Sequence, residues 1–382
     1  MISETNLCSS AMNILLVASE FPPGPGGIGR HAADLSLALA FRGYFIDVYS
    51  NIDYVEKDKI SSFANELPSN VKLHRFIRFG ILTYPLRIVR VINAVRRHNY
   101  CRIIFTGKFP LWTGGVIKIM YGKQRKVEFF VHGSEINPGN RINKIITHWA
   151  LSKADIIWAV SEFTRSILPV KVRLQKEARI LPNGIHTNIW PGLDSIEQYS
   201  DWKGYPKLLT VGSISPRKGQ HRVINALPLL IERFPNIHYH IVGMDSNAVY
   251  LRDLISTLKL DNNVTIHGCL PGRMELARAF KTSDIFIMLS ENQPDGDVEG
   301  FGIAILEANN YGLPAIGAFG CGIEDAICPG INGELVNGAD VESITNTVIK
   351  VLEQNQKYSL GIQEWVRRHD WSFLINDFLK AE

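Results

Sequence analysis

Cysteine is scarce in this 382-residue chain, and what there is lies scattered. The five residues, Cys8, Cys101, Cys269, Cys321 and Cys328, are odd in number and include no Cys-x-x-Cys pair. That excludes a disulfide framework and a thiolate zinc site, and fits a reducing cytosol. Long apolar runs are missing as well: none reaches the ~18–20 residues that a membrane-spanning helix needs. The first eleven residues hold no Lys or Arg, and the apolar run 14–18 is short, so no secretion signal is expected and 1–11 read as a loose tail. Short-period repeats and low-complexity tracts are absent. One region lacks a single charge type. Between 67 and 127 stand thirteen Lys/Arg and no Asp or Glu.

What is present is a globular composition, 46% hydrophobic and 20% charged, on a chain long enough for two domains. The net charge of +4 hides an asymmetry: 1–190 carries 25 basic and 13 acidic residues, net +12, and 191–382 carries 16 and 24, net −8. A basic half attracts an anionic partner, whether nucleic acid, a membrane surface or a phosphate-bearing substrate. No aromatic residues interleave with the basic ones as a base-stacking platform would require, so nucleic acid is not expected. In 86–97, Arg87, Arg90 and Arg97 are expected on one helical face and Leu86, Val89 and Val95 on another, a pattern suited to an anionic membrane surface.

Short β-rich runs alternate with helical patterns, which points to parallel α/β sheets. Strands are expected near 12–18, 44–50, 72–77, 101–106, 126–132, 154–160 and 177–181, with helices near 27–42, 86–98, 111–121, 141–152 and 161–168. A loop-like stretch, 182–207, follows. The alternation then restarts, with strands near 207–212, 237–243, 263–268, 284–289, 314–318 and 333–336. Helices there are expected near 218–233, 247–259, 272–281, 301–311 and 339–354. This gives an N-terminal domain 1–190, a C-terminal domain 191–365, and an amphipathic segment, 366–382, that packs back on the first.

Gly24-x-Gly26-x-x-Gly29 formally matches a dinucleotide fingerprint, and Asp47 follows it. In that fingerprint the first Gly sits in the tight turn directly after the strand. Here Ser19-Glu20-Phe21-Pro22-Pro23 intervenes, and Asp47 lies inside its strand. A loop whose bare backbone approaches a substrate is the better reading.

The second half is richer. Glu299-Gly300-Phe301-Gly302-Ile303 precedes a helical pattern carrying Glu307, and its glycines allow backbone N–H groups to converge on a diphosphate. Glu299 in the loop and Glu307 about two turns along the helix suit hydroxyl-rich groups, a sugar and a ribose. Arg217-Lys218, in a strand-to-helix turn, are placed to neutralise a diphosphate leaving group. His132, in "VHGSE" at a strand end of the first half, points to the carboxyl edge of a sheet. Asp295-Gly296-Asp297 is formally a metal-binding DxD and reads here as a loop leading into Glu299.

Taken together, Gly26–Gly29, "VHGSE", "ADIIWAVSEFTR" (154–165), "LPNGIHTNIW" (181–190), "VGSISPRKG" (211–219), "EGFGIAILE" (299–307), "GLPAIG" (312–317) and "NGELV" (332–336) resemble the retaining nucleotide-sugar glycosyltransferases of family 4. The wording "PRKGQ" and "DVEGFG" is most similar to GDP-mannose-dependent members. The resemblance implies a GT-B fold, two Rossmann-like α/β/α domains facing each other across a cleft. It implies transfer of a hexose, mannose foremost, to a hydroxyl of a glycan or polyprenyl-diphosphate-linked acceptor, in cell-surface polysaccharide or lipopolysaccharide synthesis. It also implies no metal cofactor and a cytoplasmic, peripherally membrane-bound enzyme. UDP-sugar users share most of these motifs, and a GT-B phosphorylase or epimerase would use much the same cradle.

By the same resemblance, Gly26 and Gly27 line the cleft near the phosphates, with Arg30 or His31 close by, and His132 contacts the donor sugar. Lys218 holds the diphosphate, Glu299 binds sugar hydroxyls, the amides of Gly300, Phe301, Gly302 and Ile303 cradle phosphate and sugar, and Glu307 grips the ribose diol. Base selection falls to loops near Gly243 and Gly268-Cys269-Leu270. Members usually carry an Arg five residues before the Lys. That position is Ser213, and Arg217 is the candidate to supply the missing charge.

Overall fold

A computed structural model describes residues 12–24, 26–51, 63–77, 80–245 and 248–380. The expected tail 1–11, with Cys8, lies outside them. The chain divides into two compact units, 1–183 with 374–382, and 184–373.

Unit 1 holds a seven-stranded sheet in the order β3-β2-β1-β4-β5-β6-β7. Its strands are β1 (Asn13–Ala18), β2 (Phe45–Asn51), β3 (Val71–Phe76), β4 (Arg102–Thr106), β5 (Val127–Val131), β6 (Ile156–Ala159) and β7 (Glu177–Ile180). Every pair is parallel. The central strands β4 and β5 are buried along their whole length, as strands covered on both faces must be. Leu15, Val17, Phe105, Phe129 and Val131 form the middle of the core, with Val91 and Leu111 from the covering helices.

A buried ion pair ties the C-terminal segment into this unit. Arg102 Nε and Nη2 donate to the two carboxylate oxygens of Glu128 at 2.6 and 2.5 Å, and Trp158 Nε1 donates to the same carboxylate at 2.7 Å. Arg102 Nη1 donates to the Phe378 carbonyl at 3.0 Å, and its guanidinium lies 3.7 Å from the Phe378 ring centre. Phe378 packs in turn on Trp158, so the C-terminal segment belongs to the core of this unit.

Unit 2 holds a six-stranded sheet, β10-β9-β8-β11-β12-β13. Its strands are β8 (Lys207–Val211), β9 (His238–Val242), β10 (Val264–Gly268), β11 (Ile285–Met288), β12 (Ala315–Ala318) and β13 (Gly333–Val336), again all parallel. Each strand expected from sequence has its counterpart. In both units the chain direction across the sheet reverses next to the first strand, between β1 and β4 and between β8 and β11. Ligands of open α/β sheets bind beyond the strand ends at such reversals. The loops that leave these strands include 19–24 with Gly26, Gly107, 212–219 and 289–302, and they carry Ser213, Arg217, Lys218, Glu299, Gly300, Phe301 and Gly302 among the residues singled out above.

Besides a short helix that was not expected, Val170–Gln175, three helices depart from expectation. The helix carrying Glu307 begins only at Ile303 and ends at Asn309, because Gly302 adopts a left-handed conformation (φ 89°) that cannot continue a helical ladder. Glu307 therefore sits in the second turn of this helix. Helix Asn355–Arg368 is an addition; its Gly361 packs so closely on the backbone of Ile331 that a side chain would overlap it.

The third concerns helix Thr83–Arg97, whose faces are not the expected ones. Arg87 is 5% exposed and its guanidinium lies 5.5, 5.8 and 5.9 Å from the rings of Phe76, Tyr84 and Phe109. Cation–π contacts and a long aliphatic stem make that burial tolerable. Val95 is also buried, whereas Leu86 and Val89 point outward beside Arg90, Arg96 and Arg97.

Candidate functional site

In unit 1 the glycine loop is shaped first by its own chain. Gly26 takes a backbone conformation that other residues rarely adopt (φ 132°), and the Glu20 carboxylate lies where its side chain would begin. Gly27, the first residue of helix Gly27–Phe41, has open space at that position. The helix start has no side-chain cap and no acid in its first turn, which leaves the positive end of the helix uncompensated by its own side chains. Asp47 is committed elsewhere: Tyr100 Oη donates to its Oδ2 at 2.7 Å, and His74 Nε2 lies 3.0 Å from Oδ1. No dinucleotide ribose acceptor is left there, and the loop is not a dinucleotide fingerprint in anything but spelling.

His132 follows the end of β5, and its Nε2 meets Thr106 Oγ1 at 2.7 Å. Burial pushes the imidazole down to about 3, so it is neutral at physiological pH. Its backbone N–H donates to Glu135 Oε1 at 2.6 Å. Burial raises the Glu135 carboxyl to about 7 against the pull of backbone N–H groups, and Glu20 adds to the rise. His31 stands 4.8 Å from both the Phe130 and His132 rings and is 1% exposed. It is an interior side chain that props His132. Arg30 Nε donates to Asp34 Oδ2 at 2.9 Å.

In unit 2 the strand-to-helix turn after β8 brings the charged groups together. The 3₁₀ turn Pro216–Lys218 ends at Gly219, whose left-handed conformation (φ 72°) lets the turn lie against the Leu289 carbonyl with no space for a side chain. Lys218 Nζ donates to Glu299 Oε2 at 2.7 Å, and Arg217 Nη1 donates to the same oxygen at 2.5 Å. Arg217 Nε donates to Asp297 Oδ2 at 2.9 Å. Burial would raise the Glu299 carboxyl, but Lys218 and then Arg217 outweigh it and hold the group below the usual carboxylate range.

Gly300, Phe301 and Gly302 follow directly. Gly322 donates its N–H to the Glu299 carbonyl at 2.8 Å and lies so close to Gly300 that no other residue fits. The Phe301 ring is buried near His369, so only its backbone is free to serve a ligand. Gly243 and Gly212 approach each other at the ends of β9 and β8 too closely for a Cβ at 243. Ser213 turns its carbonyl to Gln220 Nε2 at 3.1 Å, Cys269 is exposed, Leu270 is half-buried beside it, and Glu307 is half-buried on its helix.

No sequence signal marks Asp297 as a partner of the site, or couples Glu20 to Glu135. The DxD aspartates have internal roles, Asp295 Oδ1 accepting from the Asp297 N–H at 3.0 Å and Asp297 holding Arg217. Among the described residues no three His, Cys, Asp or Glu side chains are grouped to hold a metal ion.

Residues 25–189 match the model of "Glycosyltransferase Family 4", and 194–363 match "Glycosyl transferases group 1". The chain is 27% identical over 343 residues, 88% of each chain, to a GDP-mannose-dependent alpha-(1-6)-phosphatidylinositol monomannoside mannosyltransferase of Mycolicibacterium smegmatis. It is 25% identical, over 90% of each chain, to the corresponding monoacylated-acceptor enzyme of Corynebacterium glutamicum. Among solved structures it resembles sucrose-phosphate synthase from Thermosynechococcus elongatus, with TM-score 0.78, 18% identity and coverage of 97% and 98%. Anabaena HepE in complex with UDP and glucose gives TM-score 0.73 at 18% identity, covering 97% of this chain and all of that one.

Proposed function

The chain belongs to the group 1 glycosyltransferases of family 4, and from that premise we propose that it transfers mannose from GDP-mannose to a hydroxyl of a lipid-linked glycan, with retention at the anomeric carbon. The observation that carries the reading is the two-cation turn, Arg217-Lys218, closed on Glu299 immediately before the glycine backbone of 300–302. Lys218 and the amides of Gly300–Ile303 neutralise the diphosphate as it departs, Glu299 takes sugar hydroxyls, and Glu307 takes the ribose diol. Binding energy then stabilises charge on the leaving group, and positioning does the rest. No metal is needed, because Lys218 and the backbone amides supply the charge a cation would bring. The mannose preference is supported by full-length relatives that are named GDP-mannose-dependent.

The test is a panel of GDP- and UDP-sugars with the purified protein, read as thermal shift and then as transfer, with and without excess EDTA. GDP-mannose is expected to give the largest shift, and activity to survive EDTA. A larger shift with a UDP-sugar overturns the donor assignment, and metal-dependent turnover overturns the metal-independent mechanism.

An acceptor of this kind lies in a membrane, and the enzyme meets it through the basic first half, at the cytoplasmic face. No helix among the described residues is long and apolar enough to cross a membrane. Tyr84, Leu86 and Val89 lie exposed beside Arg90, Arg96 and Arg97, and helix Arg141–Leu151 exposes Ile142 and Ile145 next to Arg141 and Lys144. Exposed apolar residues set among cations suit an anionic interface. At low salt the protein is expected to sediment with anionic vesicles and not neutral ones, and Arg90→Glu/Arg96→Glu to reduce this. Unchanged sedimentation removes the membrane from the proposal. Arg87 is unsuitable for the test because it is buried.

A further inference from the structure

The turn carries two cations next to each other, but they are not held alike. Arg217 is anchored at both edges of its guanidinium, Nε on Asp297 and Nη1 on Glu299. The loop that presents Asp297 is itself fastened to the turn. The Glu291 N–H donates to the Arg217 carbonyl at 2.8 Å, the Gln293 N–H donates to the Asp297 carbonyl at 2.8 Å, and Asp295 caps the Asp297 N–H. Lys218, by contrast, reaches Glu299 with a single flexible ammonium, at the oxygen that Arg217 already holds.

Each cation keeps N–H donors to spare, but an anion that must draw one of them toward itself moves the two unequally. Taking Arg217 breaks two charge-assisted bonds, one to Asp297 and one to Glu299, and leaves Asp297 without this partner although Lys218 still holds Glu299. Taking Lys218 leaves Glu299 still held by Arg217, in the same position. The two cations therefore divide the work.

We propose that Arg217 and Asp297 are positioning residues that keep Glu299 aimed at the sugar, leaving to Lys218 the diphosphate contact that the proposed function already gives it. Arg217 then does not supply the charge that the family resemblance leads one to expect at Ser213, and Lys218 is the one cation that this turn offers the diphosphate. The inference rests on the reading that the donor binds at this turn.

The experiment combines GDP titration calorimetry with steady-state GDP release from GDP-mannose, on Lys218→Ala, Arg217→Gln, Asp297→Asn, the double variant Arg217→Gln/Asp297→Asn, and Ser213→Arg. Arg217→Gln and Asp297→Asn are expected to leave the Kd for GDP within about twofold and to lower kcat by about tenfold to hundredfold, the range that losing a charge-assisted hydrogen bond covers. The double variant is expected to be no worse than Arg217→Gln alone, because both act through one contact. Ser213→Arg is expected to tighten GDP by roughly tenfold, one added charge-assisted contact.

A loss of GDP affinity in Arg217→Gln as large as that in Lys218→Ala overturns the division of labour. So does an unaltered kcat in Asp297→Asn. If Lys218→Ala binds GDP as wild type does, the donor-site reading itself fails, a different outcome from either. Melting temperatures close to wild type separate these effects from misfolding, and Asp297→Asn, which keeps the side-chain shape, is the control for it.

Discussion

Lys218→Ala is expected to lower kcat/KM for the nucleotide-sugar donor by about 10²–10³-fold, the span measured when a single donor is removed from a developing anion. The ammonium sits in a half-buried setting where water screens it poorly, and the charge it faces grows as the glycosidic bond breaks. Glu307→Ala is expected to act differently. Loss of a ribose contact weakens ground state and transition state alike, so KM for the donor rises and kcat changes little. Steady-state kinetics over a range of donor concentrations separates the two patterns. Lys218→Ala with wild-type turnover would remove the diphosphate from this turn.

The second large effect is on stability. Glu128 is fully buried and accepts two hydrogen bonds from Arg102 and one from Trp158. Glu128→Ala leaves the Arg102 guanidinium buried without its counter-charge, which costs about 3–5 kcal/mol in comparable pairs. Unit 1 is expected to lose that much stability, and the anchoring of Phe378 with it. Because the chain has two units, a single unfolding free energy is not well defined. Amide hydrogen exchange in β4 and β5 reads the effect in unit 1, with β8 and β11 as internal reference. Equal destabilisation of both sets would contradict the assignment, as would no change in either. Replacing the pair by well-packed apolar residues is a different experiment, since the desolvation cost of both ions then disappears as well.

Much of the fold was legible because parallel strands covered on both faces spell continuous apolar runs, as in Ile14–Val17 and Ile285–Leu289. The site was legible where chemistry is local: Arg217-Lys218 share one turn, and Glu299 adjoins its glycines. What escaped depends on distance in sequence or on environment. Asp297 pairs with Arg217 across 80 residues, and nothing in a DxD spelling distinguishes a metal ligand from an ion-pair partner. Arg87 looked like a surface cation because helical spacing alone does not reveal three aromatic rings waiting beneath it. The closeness of the Glu20 carboxylate to Gly26, six residues on, is likewise announced by no glycine spelling. Helix Asn355–Arg368 was hidden by its polar residues and Gly361, which is there for close packing on Ile331.

The most direct test is a crystal structure of the protein with GDP-mannose bound. The diphosphate is expected within hydrogen-bond distance of Lys218 Nζ and the amides of Gly300–Ile303, with the mannose hydroxyls on Glu299 and Arg217 still held by Asp297. Density for the nucleotide diphosphate anywhere that leaves Lys218 on Glu299 and the 300–303 backbone untouched would contradict it.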